Sequence, residues 1–152
     1  MPPRRKRPNG KSGKNSEMQK LLKTATCIRD NLIKTQGEAG AFCAEASYAL
    51  AHIIDGTVVL GGYQFKGKPS EFDNPHYWVE KKGYIIDPTA EQFGEFKGPI
   101  ITTIKDKHYT YTEDTFRDKP SDVRKALRRD FIDPSISMPI IKNLLKAKCK
   151  YP

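Results

Sequence analysis

Hydrophobic residues recur at helical spacing through Leu21, Leu22, Ala25, Ile28, Leu32 and Ile33, a stripe that predicts a helix from about Ser16 to Lys34. Ser16, with Gln19 three residues on, reads as a capping box at its start. Cys27 falls inside this helix, where a free cysteine behaves as a small hydrophobe. Small residues from Gly37 to Phe42 form a loop, and a second helix follows from about Phe42 to Asp55. At 100° per residue, Cys43, Ala46, Ser47, Leu50 and Ile54 share its buried face, with His52 on the opposite, solvent side. From Thr57 the period shortens to two. Thr57–Phe65 reads as a strand with a bulge or bend at Gly61-Gly62, and His76–Glu80 and Tyr84–Asp87 read as a hairpin around Lys81-Lys82-Gly83. Short strands near Pro99–Ile104 and His108–Thr112 come next, then helices from Ser121 to about Phe131 and from Ser137 or Met138 to about Lys148. Helices, strands and helices in that order predict an α+β domain with a mainly antiparallel sheet.

A hydrophobic content of 37% over 152 residues is enough for one modest core and not for two. Apolar runs such as Ile53-Ile54 and Val58-Val59-Leu60 are short, far below the roughly 20 residues of a membrane span, so a soluble protein without a membrane span is expected. Six basic residues and no acid fall in residues 1–15, leaving +3 of the net +9 for the remainder. This segment, rich in Pro, Gly, Ser and Asn, is expected to be a disordered basic tail, with a single domain over residues 16–152. Its basic side chains, within residues 4–14, are the place for an anionic partner such as nucleic acid. No apolar region follows Arg4-Arg5-Lys6-Arg7, so Sec export is not expected. Three cysteines, an odd and small number, favour a reducing, cytoplasmic setting, with delivery into another cell by a route other than Sec as the alternative. There is no C-x-x-C or H-x-x-x-H pair, and no metal or cofactor is expected.

Three residues carry the candidate chemistry. Cys43 sits at a helix start, where unpaired N–H groups and the helix dipole favour a thiolate. His76 opens a strand and is placed to act as a base for a thiol on a neighbouring helix. Asp87 ends the next strand. A two-residue turn makes His76 and Asp87 direct or diagonal cross-strand neighbours on one face, whereas a three-residue turn puts them on opposite faces. Nucleophile, base and orienter are the roles of a catalytic triad. Trp78 shares a face with His76 and fits either a core aromatic or a shield of the His–Asp pair. His108 has no acid or thiol at telling spacing and reads as a surface residue.

Gly40-Ala41-Phe42-Cys43-Ala44-Glu45-Ala46-Ser47, His76-Tyr77-Trp78-Val79-Glu80 and Gly83 to Phe93, with Asp87-Pro88-Thr89-Ala90-Glu91-Gln92-Phe93 at its end, resemble the papain-like and transglutaminase-like superfamily of cysteine nucleophiles, and among these the small bacterial, phage and toxin-associated members. The resemblance spans about residues 36–96. It implies a papain-like or transglutaminase-like fold with helices packed on the sheet, Cys43 as nucleophile, His76 as base and Asp87 as orienter. Papain-like enzymes also use a Gln before the nucleophile in the oxyanion hole. Gln36 stands seven residues before Cys43, a position also natural for a polar residue after a helix. Gln92 belongs to the resembled motif as a substrate contact or as the cap of a loop.

These residues imply a cysteine-dependent acyl-transfer enzyme, a protein deamidase or cysteine protease, acting on a protein or peptide substrate. The alternative is an idle domain of the same build that serves as a binding module through its basic tail.

Overall fold

The computed structural model describes residues 10–70 and 74–151. In chain order the elements are α1 (Gly10–Gln36), α2 (Cys43–Ile54), β1 (Thr57–Tyr63), β2 (Asn74–Lys81), β3 (Tyr84–Asp87), β4 (Ile100–Thr103), β5 (Tyr109–Thr110), β6 (Phe116–Asp118), α3 (Val123–Arg129) and α4 (Pro134–Lys146). The strands form one sheet in the order β4-β3-β2-β1-β5, with β6 also paired to β1. Its pairings are antiparallel, which makes the chain the α+β architecture that the pattern predicts.

Strand alternation divides the side chains between two cores. Val58 on β1, Tyr77 and Val79 on β2 and Ile86 on β3 join the larger core with the helices, while Val59, Tyr63, Trp78, Ile85 and Tyr109 build a second core. On α1, Leu21, Ala25, Ile28 and Leu32 are fully buried along the expected stripe, each large aliphatic side chain contributing about 1.5–3 kcal/mol by leaving water. Helix α2 packs on β2, α1 and α4, so Ala44 through Ala51 are all buried, while His52 reaches solvent as expected.

The hairpin turn is Lys82-Gly83, both at positive φ (51° and 80°), the backbone form whose twist matches paired strands. It sets the register Lys81 opposite Tyr84 and Val79 opposite Ile86. Gly61-Gly62 does not form the expected bulge, because β1 pairs without interruption from Thr57 to Tyr63. Gly61 instead makes room. A Cβ there would meet the Trp78 indole at 2.4 Å and the Thr110 carbonyl at 2.8 Å.

Helix α1 begins at Gly10, so Ser16 lies inside it and forms no cap. Of the tail expected over residues 1–15, residues 1–9 lie outside the described residues and the remainder belongs to α1. Helix α4 starts at Pro134, earlier than Ser137, because Asp133 caps it by accepting the Ser135 N–H at 2.9 Å. Strand β6 is too short to show periodicity and was invisible to pattern alone.

Cys27 is not the free thiol expected. It forms a disulfide with Cys149 across 122 residues, joining α1 to the segment after α4. The Thr24 hydroxyl donates to the Lys150 carbonyl at 2.9 Å beside it. Such a bond persists in oxidising surroundings and weighs against the reducing compartment expected from the odd cysteine count. Among the described residues no helix is long and apolar enough to cross a membrane.

Candidate active site

Gly37, at φ 85°, ends α1 and turns the chain into a short helical turn, Gly40–Phe42, that runs directly into α2. Cys43 is therefore the first residue of α2, with the positive end of the helix dipole at its side. The Gly40–Phe42 turn packs on a second turn, Ala90–Phe93, which follows Asp87. Arg29 fastens that second turn to α1 through a two-pronged pair with Glu91, at 2.6 and 2.8 Å. The segment presenting the thiol and the segment behind the acid are thus braced against each other.

His76 and Asp87 are both fully buried, and Nε2 of His76 lies 2.7 Å from Oδ2 of Asp87. The two-residue turn places them as diagonal neighbours, since Val79 faces Ile86 and the register continues toward Trp78 and Asp87. An ionised carboxylate only accepts hydrogen bonds, so Nε2 carries the hydrogen. That leaves Nδ1 for the thiol. Nδ1 is buried and has no hydrogen-bond partner among the described residues, and Cys43 is among the groups that act on the His76 ring. Burial works against a charged imidazole here, yet the charge and hydrogen bond of Asp87, with a smaller contribution from Cys43, outweigh it and hold the His76 pKa above its ordinary value. Of the three cysteines Cys43 is the free one, and it is half-buried.

Aromatic rings enclose the imidazole. Phe93 meets it edge-on at 4.9 Å, and Tyr63, Trp78 and Tyr109 stand at 6.1, 6.2 and 6.5 Å between ring centres. Trp78 is fully buried and donates its indole N–H to Glu80 at 3.3 Å, so it serves in the second core and walls the pair from water at once. Asp87 accepts two further hydrogen bonds, the Thr89 N–H on Oδ1 at 3.1 Å and the Tyr109 hydroxyl on Oδ2 at 2.7 Å. Burial and the Asp87 charge push the Tyr109 phenol pKa up, keeping it a donor.

The other candidates are placed differently. Gln36 ends α1 exposed to solvent. Gln92 is exposed on the Ala90–Phe93 turn, with its side chain against Gly40 beside the thiol-bearing segment. His108 is half-buried rather than a plain surface residue: Nδ1 lies 2.7 Å from Asp106 and Nε2 3.7 Å from Glu95. Asp106, two residues away, was the signal that spacing offered. Tyr109 and the Thr89 N–H were missed, and nothing in local spacing marks Tyr109, because β5 pairs with β1 and not with β3. A groove of about 320 Å³, lined by Leu60, Gly61, Gly62, Pro75, Thr112 and Asp114, runs along the β1 and β2 positions next to His76. Among the described residues no group of three or more His, Cys, Asp or Glu side chains is arranged to hold a metal ion.

Comparison with protein-family models, with curated proteins and with solved structures returns no match for this chain.

Proposed function

We propose that this chain is a cysteine-dependent acyl-transfer enzyme of papain-like or transglutaminase-like type, an amidohydrolase acting on protein or peptide carboxamides. The observation that carries the reading is the buried His76–Asp87 pair at 2.7 Å with its second ring nitrogen left to the free thiol of Cys43. A structural histidine needs no free thiol beside it, and a structural cysteine needs no buried carboxylate behind its neighbour.

The chemistry follows from these groups. The Cys43 S–H proton passes to Nδ1 of His76, and the resulting imidazolium is stabilised by Asp87. The thiolate sulfur bonds to the carboxamide carbon, and the C–N bond breaks as His76 returns its proton to the leaving ammonia or amine. Water, deprotonated by His76, then attacks the thioester and frees the Cys43 sulfur. Gln92, exposed on its turn with its side chain against Gly40 just before the thiol, is the candidate substrate contact.

Mass spectrometry of a proteome treated with the wild type and with Cys43→Ala tests the reading. New peptide termini indicate proteolysis, a glutamine-to-glutamate gain indicates deamidation, and a cross-link indicates transfer. Identical proteomes from the two proteins refute enzymatic activity.

A further inference from the structure

Oδ2 of Asp87 accepts two hydrogen bonds at once, from Nε2 of His76 and from the Tyr109 hydroxyl, each at 2.7 Å, while Oδ1 accepts the Thr89 N–H at 3.1 Å. Three donors on one fully buried carboxylate leave it a single rotamer. They come from three places in the chain: β2, the turn after β3, and β5. The phenol is the unusual member. A backbone N–H would suffice to orient the acid, yet β5 sends a buried tyrosine across the second core to the very oxygen that holds the imidazole.

We propose that Tyr109 is a positioning residue of the catalytic apparatus: by sharing Oδ2 with His76 it locks the Asp87 carboxylate and disperses its charge, so that the imidazolium formed during acyl transfer can still give up its proton. The inference rests on the reading of His76 as the base and Asp87 as its orienter. The physical ground is competition at one oxygen. Each donor to a carboxylate takes part of the charge that the other feels. With Asp87 held by His76 alone at Oδ2, the imidazolium is bound too firmly and returns its proton to the leaving group reluctantly. Among the described residues, the ionisable groups that face the ring are Cys43 from α2, Asp87 from β3, Tyr63 from β1 and Tyr109 from β5. Tyr63 donates its hydroxyl to Glu95 at 2.7 Å and so supplies a control.

The test is Tyr109→Phe, which keeps the ring that packs edge-on against Trp78 and Tyr63 and removes only the donor. The His76 ring is followed by nitrogen NMR across pH in the full chain, together with kcat and KM on a carboxamide peptide. Loss of a hydrogen bond to a charged group corresponds to a rise of about one pH unit in the His76 titration, with kcat reduced and KM unchanged. Tyr63→Phe is expected to leave the titration where it is. Placing 3-fluorotyrosine at position 109, a stronger donor of the same size, moves the titration in the opposite direction and covers the case in which the phenylalanine variant folds poorly. A titration that stays put or falls in Tyr109→Phe overturns the proposal. A titration that rises in a protein whose wild type shows no acyl turnover upholds the Tyr109–Asp87–His76 coupling and refutes the enzymatic reading instead.

Discussion

His76 and Asp87, eleven residues apart and both without solvent exposure, meet at 2.7 Å across the β2–β3 hairpin, with the imidazole's other nitrogen left for Cys43. Replacing the acid by its amide keeps the shape and removes the charge. Asp87→Asn is therefore expected to slow acyl turnover by about 10²–10⁴-fold with an unchanged circular dichroism spectrum. Retention of full turnover in that variant would show that Asp87 does not serve His76.

The same pair makes stability depend on pH in a definite direction. The His76 pKa is raised in the folded protein, to about 10, against about 6.5 in an unfolded chain. Its contribution is thus complete below about pH 6.5 and is lost as pH climbs toward 10. Urea midpoints measured at pH 7 and pH 10 should fall more in the wild type than in Asp87→Asn, where the partner charge is gone. Equal declines in both would place the pH sensitivity elsewhere.

Cys27 and Cys149 close a loop of 122 residues. On the chain-entropy account such a cross-link contributes about 3–5 kcal/mol, so the double variant Cys27→Ser, Cys149→Ser should unfold at markedly lower denaturant while Cys43 keeps its reactivity. In the unreduced native protein iodoacetamide should label Cys43 alone, since the other two sulfurs are paired. Fast labelling near pH 6–7 is the expected behaviour of a thiol beside His76. Peptide mapping of the alkylated protein gives the answer, and modification of Cys27 without reductant would contradict the cross-link.

Phe131 follows α3 at φ 59°, 98% exposed, where the Ile132 N–H closes back on the Leu127 carbonyl at 2.9 Å. This is the helix-ending position that glycine favours, and a bulky side chain there is strained by about 1–2 kcal/mol. Nothing packed is lost on its removal. Allowing for the greater freedom of glycine in the unfolded chain, Phe131→Gly is expected to stabilise by about 0.5–1 kcal/mol and to raise the melting temperature by about 1–4 °C. A lower melting temperature would show that the exposed ring supports the fold.

Legibility in the sequence followed the range of the interaction. The stripe Leu21, Ala25, Ile28 and Leu32 is a property of one helix, and it lies buried as its spacing predicts. Strand alternation likewise put His76, Trp78 and Asp87 on a common face once the Lys82-Gly83 turn had two residues. Those features depend on neighbours within a few positions, so periodicity and turn chemistry suffice to find them. Local pattern misled at Gly61 and Ser16. A glycine pair in a strand looks like a bulge until the Trp78 indole fills the space above it, and a serine looks like a cap until the helix is seen to continue past it.

The amino-acid order by itself determined the α+β class and the faces of the main helices and strands, and it singled out Cys43, His76 and Asp87 as the candidates for nucleophile, base and orienter. Tertiary structure decided what surrounds them. That Tyr109 reaches Asp87, that Arg29 braces the turn behind it, and that Cys27 finds Cys149 all depend on which strand lies beside which and on how α1 packs against β3 and β4. The reason is physical: local spacing sets the direction in which a side chain leaves its own backbone, while the identity of the group it meets is set by packing between elements distant along the chain, of which local spacing carries no trace.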